Sequence, residues 1–554
     1  MQPPARAAFI GAAIAAVMTL PGLGTGTLWD NSETAYGEVA REILRFHDVV
    51  VMHLNGAPWF VQPPLYFWIA AIFVKLFGLS SFALRLPSAL ATIAMGAMVA
   101  YAVTRAAGIR AGLYATVILS TSLMQAVVGR LAIMDALLDL AVACTIFWWF
   151  RALQTGRSGY LYAGAAAAAF GFLAKGPVAP VIALLVIVAF AVWNRRTSDT
   201  PLPSAGAMLG AVVIFTLIVA PWFIALYVRS GSTSIGQLIG HYTIARYTST
   251  IENQAGPFWY YLPVLILGFF PWIAFLPAAI VFAIRLLNKG AQREPSAPLL
   301  RLSLAWIVVP FLFFSFAKTK LPNYIALEFP PLALVVALYF DAAVREFRRR
   351  SPVISSAMIP LTIALLAIAI AIFARNNKLT GAIHALSGDM TVIAALIFAG
   401  SILTGILFIS RTTNAIAAYA LGTTACASIL MLVFSVLPKA EEFKPVPRIA
   451  AEIQRVRQPG DAVAIEGVPG GNALLFYTEP PITSLGAANL PSSGAQPTPR
   501  MVICSARRAF VVASRQRGPA DPAYGRRQRQ LLIDHNDALF MYDGPACTPA
   551  HDKG

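Results

Sequence analysis

The chain has 554 residues, of which 58% are apolar and only 12% are charged, and its formal net charge is +17. Soluble domains carry about a quarter charged residues, so this composition excludes an ordinary soluble protein. The positive charge lies in short arginine clusters between apolar stretches, which is typical of the loops of a membrane protein and not of a nucleic-acid-binding face. We therefore expect no nucleic-acid partner.

Apolar stretches near 20 residues recur along the first four-fifths of the chain, and each is long enough to cross a hydrocarbon core of about 30 Å. They predict a polytopic α-helical membrane protein with about 13 transmembrane helices. The first stretch is expected to be an uncleaved helix, because no clean signal-peptide cleavage site follows it. The predicted spans are 8–24, 82–104, 111–128, 136–153, 159–173, 177–193, 206–228, 262–285, 301–317, 324–342, 353–374, 390–409 and 414–437.

The segment 63–79 is apolar enough to be a further span, and the charges of the loops decide its placement. If it crossed the membrane, the basic loops at Arg151, Arg195 and Arg285 would all face the periplasm. If it lies in the outer interface as an amphipathic helix, these loops fall in the cytoplasm, as the positive-inside rule requires. We adopt the second arrangement. It places on the periplasmic side the loops 25–81, 129–135, 174–176, 229–261, 318–323 and 375–389, and the C-terminal tail.

The tail differs in character from the rest, with balanced charges, prolines and alternating helix-like and strand-like segments. We predict that residues 1–439 form the transmembrane domain, with 25–81 as its first periplasmic loop, and that 440–554 form a small soluble periplasmic α/β domain. Its segments are PRIAAEIQRV, DAVAIEGV, MVICSA, RAFVVAS and LLIDHNDALFMYDG, the last with a turn at His535–Asn536. Cys504 and Cys547 either pair or remain free thiols.

The first outer loop contains two pairs of carboxylates. Glu38 and Glu42 share a helical face and can pair with Arg41 and Arg45, a pattern typical of a solvated face.

Asp30 and Glu33 lie at the membrane boundary, where an acidic residue is costly unless it has a role. Either is a candidate general base for deprotonating an acceptor hydroxyl. The alternative for Asp30 is a helix N-cap. Further along the chain, Asp135 follows Arg130 at the outer edge of a predicted helix, where it would orient an acceptor or a metal, or form a structural ion pair with Arg130.

Five cations are predicted on the same side as these acids, each beside Pro, Gly or Tyr. Such cations can hold a phosphate and stabilise a lipid-phosphate leaving group, whereas the alternative is snorkelling at a helix end. They are Arg85, Lys175, Arg246, Lys318 and Lys320. The outer-loop histidines His53 and His241 have no second histidine or cysteine at ligand spacing, so we predict no metal site. No phosphate-binding glycine motif indicates a soluble nucleotide or another cofactor.

Several motifs resemble the GT-C membrane glycosyltransferases, especially the bacterial lipid A aminoarabinose transferases and the related protein O-mannosyltransferases. In chain order they are ETAYGEVAREIL, PPLYFW, LRLPSAL, GRLAIMDALL, FLAKGPV, GPFWYYLPVLILGFFPW and FAKTKLPNYIALEFPPLAL. They cover about residues 25–345, whereas the tail has no matching motif. The resemblance implies a GT-C fold with interfacial helices in the first outer loop. It also implies inverting transfer from an undecaprenyl-phosphate sugar in a periplasmic cavity, by a protein of the bacterial inner membrane that we expect to be monomeric.

By resemblance, the first-loop acid and Asp135 are the catalytic or acceptor-orienting carboxylates. Arg246 and Tyr324 would hold the lipid phosphate, with Lys318 and Lys320 nearby. Arg85, Lys175, Gln62 and His241 complete the set of predicted substrate-contacting residues.

The sequence departs from the family pattern at three places. The usual Asp-Glu pair reads Ser32–Glu33, with an acid displaced to Asp30, so the base is either Asp30 or Glu33. The lysine common before Pro-Pro is Gln62, and the acid before that lysine is Val61. These changes favour a different donor or acceptor from that of the aminoarabinose enzymes.

Three alternatives compete with transfer to lipid A or another lipid-linked glycan. A protein O-glycosyltransferase would use the same donor class. A secondary transporter would show inverted repeats and polar residues at the midplane, and neither is visible in the sequence. A non-catalytic assembly scaffold is the third.

Overall fold

The computed structural model describes residues 2–29, 32–195, 202–250, 254–288, 294–345, 385–410, 412–466, 471–479, 481–485, 508–514, 527–534 and 537–543. The chain divides into two compact units. The membrane unit contains the described residues of Met1–Gly24, Phe60–Tyr66 and Arg85–Val436. The loop–tail unit contains those of Thr25–Trp59, Phe67–Leu84 and Leu437–Gly554. Within the predicted first outer loop, Thr25–Trp59 and Phe67–Leu84 thus group with the tail, and Phe60–Tyr66 groups with the membrane helices.

Within the described residues, eight helices are long and apolar enough to cross a membrane, or nine if one pair bent by 108° counts as a single span. The eight are Ser81–Ala107, Asp135–Thr155, Val178–Arg195, Ala205–Thr248, Ala297–Phe316, Pro322–Arg345, Ser387–Ile409 and Asn414–Glu441, and the bent pair is Phe258–Gly268 with Trp272–Asn288. Further helices are Pro3–Thr19, Leu65–Phe77, Ile109–Ser120, Leu123–Val128 and Ser158–Lys175. A multi-pass helical membrane protein is confirmed. The count of 13 stays a prediction, because the span at 353–374 lies outside the described residues.

The predicted span 111–128 is broken into the helices Ile109–Ser120 and Leu123–Val128. At the break, the Thr121 hydroxyl donates to the Val117 carbonyl at 2.6 Å, and the Ser122 hydroxyl donates to the Ile118 carbonyl at 2.7 Å. Hydroxyls that bond back to the preceding turn compete with the helical backbone pattern and bend helices. Apolar length alone does not reveal such a break.

The helix Phe329–Arg345 lies at the centre of the membrane unit, and Phe329 to Asp341 are all buried. Its sequence is apolar on every side, as expected for a helix that neighbours surround completely. At its end, Asp341 pairs with Arg110 and with Arg345, each at 2.7 Å.

The helix Leu65–Phe77 corresponds to the segment 63–79 whose placement the loop charges decided. Its 13 residues rise about 20 Å, at about 1.5 Å per residue. This helix is too short to cross a hydrocarbon core of about 30 Å, in agreement with its predicted interfacial placement.

The described part of the tail contains a five-stranded sheet and three helices. From edge to edge the strands are Thr483–Leu485, Ala462–Glu466, Arg508–Ser514, Asp537–Asp543 and Arg527–Asp534. Ala462–Glu466 runs parallel to both of its neighbours, and the other two pairings are antiparallel. The tail helices are Leu437–Glu441, Pro445–Val456 and Gly471–Thr478. The predicted small α/β domain is therefore confirmed, whereas MVICSA, Cys504 and Cys547 lie outside the described residues.

The first outer loop forms the helix Glu33–Phe46 and a short hairpin of His53–Leu54 with Ala57–Pro58. The prediction that Glu38 and Glu42 lie on a solvated face is wrong, because both are fully buried. Their helix packs against Gly471–Thr478, and a Cβ added at Gly37 would lie 2.8 Å from the side chains of Leu84 and Phe476. Part of the face that the sequence presents as charged is covered by the hairpin, where Glu42 contacts Gly56.

Burial raises the pKa of Glu38 to about 8, although the neighbouring Arg41 opposes the shift. Glu42, which adds to the shift at Glu38, has a raised pKa for the same reason. The Glu42 carboxylate accepts the Gly56 backbone N–H at 3.0 Å, which ties the helix to the hairpin.

Candidate active site

A cavity of about 280 Å³ lies within the membrane unit, and its lining is mainly apolar. The polar side chains in the lining include four of the residues predicted from the sequence, namely Gln62, Lys175, Arg246 and Tyr324. The apolar lining includes Leu138, Val178, Val181, Leu238, Ile239, Phe313 and Phe314. An apolar cavity with a few convergent polar groups is the expected form of a small-molecule or lipid site.

The charged groups beside this cavity form one connected network. The Lys175 ammonium contacts the Asp135 carboxylate at 2.5 Å and lies 5.1 Å from the centre of the Tyr324 ring. The Tyr324 hydroxyl accepts a hydrogen bond from Arg246 at 3.3 Å. The Asn323 side-chain amide donates at 2.8 Å to the same Asp135 oxygen that Lys175 contacts. Two cations, Lys175 and Arg246, are thus held beside an apolar cavity.

Local sequence signals explain how each group reaches the network. Lys175 ends the helix Ser158–Lys175, because Gly176 has φ of +78° and Pro177 follows it. Asp135 begins the helix Asp135–Thr155, and the positive end of the helix dipole stabilises a carboxylate at this position.

Arg246 and Tyr324 come from irregular helical segments. Arg246 directly follows the π-helical segment Gly236–Ala245, and π-helical turns are frequent at functional sites. Tyr324 lies in the 3-10 helix Pro322–Glu328. The backbone of 318–320 also pairs with residues 246, 247 and 254: the Lys318 N–H donates to the Tyr247 carbonyl and the Lys320 N–H to the Gln254 carbonyl.

Lys320 has a different environment from Lys175. Its ammonium donates to the carbonyls of Phe314, Ser315 and Ala317 at 3.2, 2.7 and 2.8 Å. An ammonium has three donors, so all three are occupied in closing the end of the helix Ala297–Phe316. Lys320 is not in the cavity lining, and this geometry is that of a helix cap.

The remaining predicted site residues do not enter the network. Lys318 and His241 are exposed, and neither lines the cavity. Arg85 is buried and donates to the Leu23 carbonyl at 3.2 Å. Asp30 lies outside the described residues. Glu33 is buried in the loop–tail unit, where its carboxylate accepts the Trp29 backbone N–H at 2.8 Å.

A family profile described as dolichyl-phosphate-mannose-protein mannosyltransferase matches residues 61–225. The undecaprenyl phosphate-alpha-4-amino-4-deoxy-L-arabinose arabinosyl transferase of Aeromonas hydrophila is 31% identical over 402 residues, which are 70% of this chain and 69% of that protein. The chain belongs to this arabinosyl transferase family. The protein of the same description from Aeromonas salmonicida is 31% identical over 395 residues, 69% of this chain and 68% of its own.

The fold of the arabinosyl transferase family is shared over nearly the whole chain. The crystal structure of ArnT from Cupriavidus metallidurans bound to undecaprenyl phosphate superposes with a TM-score of 0.81 at 22% identity, covering 96% of this chain and 97% of that one. Its apo structure gives a TM-score of 0.78 at 21% identity, with the same coverage of both chains. The GT-C fold expected from the motifs is confirmed, and the protein is a membrane glycosyltransferase.

Sequence reasoning missed Asn323, which joins Lys175 at the Asp135 carboxylate. The available signal was its place in KLPNY, between a predicted phosphate ligand and a predicted lysine cluster. It also missed Tyr242, Thr243 and Tyr247, which line the cavity. They lie beside Arg246 in sequence, but only the π-helical geometry shows that they face the same space.

Proposed function

We propose that this arabinosyl transferase family member is an inverting glycosyltransferase. It moves a sugar from a polyprenyl-phosphate donor to lipid A or another lipid-linked glycan, on the periplasmic face of the bacterial inner membrane. The observation that carries the proposal is the network of Asp135, Lys175, Tyr324 and Arg246 beside an apolar cavity. A polyprenyl phosphate has the matching chemistry, an anionic head joined to an apolar chain.

In the proposed mechanism, Lys175 and Arg246 hold the donor phosphate, and the isoprenoid chain lies along the apolar lining. The acceptor oxygen forms a bond to the anomeric carbon while the bond from that carbon to the phosphate oxygen breaks. The electron pair stays on the lipid phosphate, which the cations stabilise without protonation. The acceptor proton goes to a first-loop carboxylate, either Asp30 or Glu33.

Asp135 has a supporting role in this scheme. Its Oδ1 atom accepts from both Lys175 and Asn323, and the residue is only 4% exposed. A carboxylate held by two donors is poorly placed to collect a proton, but it fixes the lysine ammonium at the cavity wall. Asp135 therefore orients a phosphate ligand, and the base is one of the two first-loop acids.

The donor sugar of the Aeromonas relatives, 4-amino-4-deoxy-L-arabinose, is the first candidate for this chain. Gln62 lines the cavity where the family commonly has a lysine, so one cation is replaced by a neutral amide. This change favours a donor or acceptor that differs from that of the relatives, and a panel of donors is needed to identify it.

The test is transfer from a panel of labelled polyprenyl-phosphate sugars by the purified full-length protein, with lipid A and a Ser/Thr-containing peptide as alternative acceptors. We expect a labelled lipid product, and its loss in one of the variants Asp30→Asn and Glu33→Gln would identify the base. A labelled peptide would show that the acceptor is a protein and not a lipid. If folded protein gave no product with any donor and showed counterflow of a solute in liposomes, the protein would be a transporter and not an enzyme.

A further inference from the structure

In the loop–tail unit, tail residues bind the first loop at positions that precede Asp30 in the sequence and at positions that follow it. On the N-terminal side, the Leu28 backbone N–H donates to the Tyr477 hydroxyl at 2.8 Å. The Lys444 ammonium lies 4.0 Å from the centre of the Trp29 ring and 3.3 Å from the Thr27 carbonyl. Residues 27–29, which directly precede Asp30, are therefore fixed to the tail by hydrogen bonds and a cation–π contact.

On the C-terminal side, the helix that begins at Glu33 is joined to the end of the helix Gly471–Thr478. Arg41 donates to the Phe476 carbonyl at 3.1 Å and to the Leu475 carbonyl at 3.3 Å. It also pairs with the buried Glu38. The last carbonyls of a helix have no partner within it and carry the negative end of its dipole, so an arginine fork is well suited to this position.

A third contact joins the loop hairpin to the chain after the same tail helix. The Asn55 side chain donates to the Ile482 carbonyl at 2.8 Å and accepts the Ile482 N–H at 3.0 Å. This amide reproduces the two hydrogen bonds that a neighbouring strand would make. Asn55 has φ of +58°, a conformation that asparagine tolerates better than most side chains.

We propose that the tail domain holds residues 27–29 and the helix Glu33–Phe46 in the position that transfer requires, and that Arg41, Asn55 and Tyr477 are positioning residues of this enzyme. The inference rests on the proposed function, in which Asp30 or Glu33 takes the acceptor proton. Tyr477 accepts the Leu28 N–H and interacts electrostatically with Glu33, whereas Arg41 and Asn55 act on the loop through its helix and its hairpin. Because misplacing a catalytic group by about 1 Å can cost about 100-fold in rate, these contacts control turnover without touching substrate.

The test compares Tyr477→Phe, Asn55→Ala, Arg41→Ala and Arg41→Lys in the purified full-length protein. We expect kcat to fall about 10-fold in the first two and up to about 100-fold in Arg41→Ala. The donor KM should stay near the wild-type value, because the donor cavity belongs to the membrane unit. Arg41→Lys should recover part of the rate, since an ammonium keeps the charge but cannot form the two-carbonyl fork.

Two further measurements separate positioning from a merely structural role. One of the variants Asp30→Asn and Glu33→Gln is expected to lack the catalytic base. In that variant, adding Tyr477→Phe should lower kcat little further, because Tyr477 acts through the base that is already missing. The matched control is Arg455→Ala, which removes an exposed ion pair with Glu452 on another tail helix and should leave kcat unchanged. Wild-type kcat in all the positioning variants, or an equal loss in the base-deficient background, would overturn the proposal.

Hydrogen exchange provides a readout that does not depend on activity. Tyr477→Phe and Asn55→Ala should accelerate amide exchange across 27–46 while leaving 236–248 beside the cavity unchanged. Unchanged exchange in 27–46 would overturn the proposal even if transfer were slower. An inactive wild-type protein with faster loop exchange in the variants would overturn the proposed function, and with it the role of these residues in transfer.

Discussion

The membrane unit and the loop–tail unit use buried or half-buried cations for different purposes. In the membrane unit, Lys175 contacts one carboxylate, and its 15% exposed side chain lines the cavity. In the loop–tail unit, Arg41 is bound to two helix carbonyls and to Glu38. An ammonium or guanidinium can bind a ligand only if the fold leaves some of its donors unsatisfied. The difference therefore separates the proposed binding cations from a structural one where residue type alone does not.

The largest effect is expected at the binding cation Arg246. Arg246→Ala should lower kcat/KM by about 100- to 1000-fold, the range typical for loss of one preorganised donor to a developing charge. Initial rates with a saturating acceptor measure it. Arg105→Ala, which removes an exposed arginine at the end of the helix Ser81–Ala107, is the control. An Arg246→Ala enzyme with the wild-type rate would remove this residue from the site.

The assignment of Asp135 predicts a smaller effect and a coupling. Asp135→Asn should cost about 10- to 100-fold in kcat/KM, because the Lys175 ammonium loses its anchor. In a double-mutant cycle, Asp135→Asn should add little to the loss caused by Lys175→Ala, since residues in contact are not additive. Fully additive losses would show that Asp135 has a separate catalytic role.

A substitution at Lys320 tests whether the membrane unit also contains a structural cation. Lys320→Met should destabilise the protein by about 2 kcal/mol, since it leaves three buried carbonyls without a charged donor. Thermal unfolding in detergent, beside turnover per folded molecule, separates the two outcomes. A large loss of turnover with unchanged stability would return Lys320 to the phosphate site.

The smallest effect concerns the pH dependence of the loop–tail unit. The pKa of Glu38 is raised to about 8 by burial, so the folded protein binds this proton more tightly than the unfolded chain. The resulting stability is complete below the unfolded pKa of about 4.5 and is lost as pH rises through about 8. Glu38→Gln should therefore flatten the decline of the unfolding temperature between about pH 5 and pH 8. If the unfolding temperature of Glu38→Gln declined with pH as steeply as that of the wild type, another group would be responsible, and Glu42 is the nearest alternative.

Local signals were enough for much of the fold and part of the site. Apolar length predicted the long helices, Gly176 with Pro177 marked the turn that presents Lys175, and strand-like runs located Ala462–Glu466 and Arg508–Ser514. The sequence also brought Lys175, Arg246 and Tyr324 together correctly, because each lies in a motif of the same predicted outer side.

What the sequence could not supply depends on contacts between distant segments. Lys175 and Lys320 look alike in sequence, and only the carbonyls around Lys320 separate them. The spacing of Glu38 and Glu42 shows that they share a face, but not that the fold buries this face. Helical spacing predicts which residues share a face, but it does not predict which segment packs against that face.

The loop–tail unit joins residues from near the beginning of the chain to its last part, which has a consequence for biosynthesis. Chains generally fold from the N-terminal end as they are made, yet the helix Glu33–Phe46 can pack against Gly471–Thr478 only when the tail has left the ribosome. Until then the first loop has an incomplete packing surface. A frameshift or stop codon late in the gene would therefore leave an early segment unfolded and open to proteases, so that completion of the tail serves as a check on the whole chain.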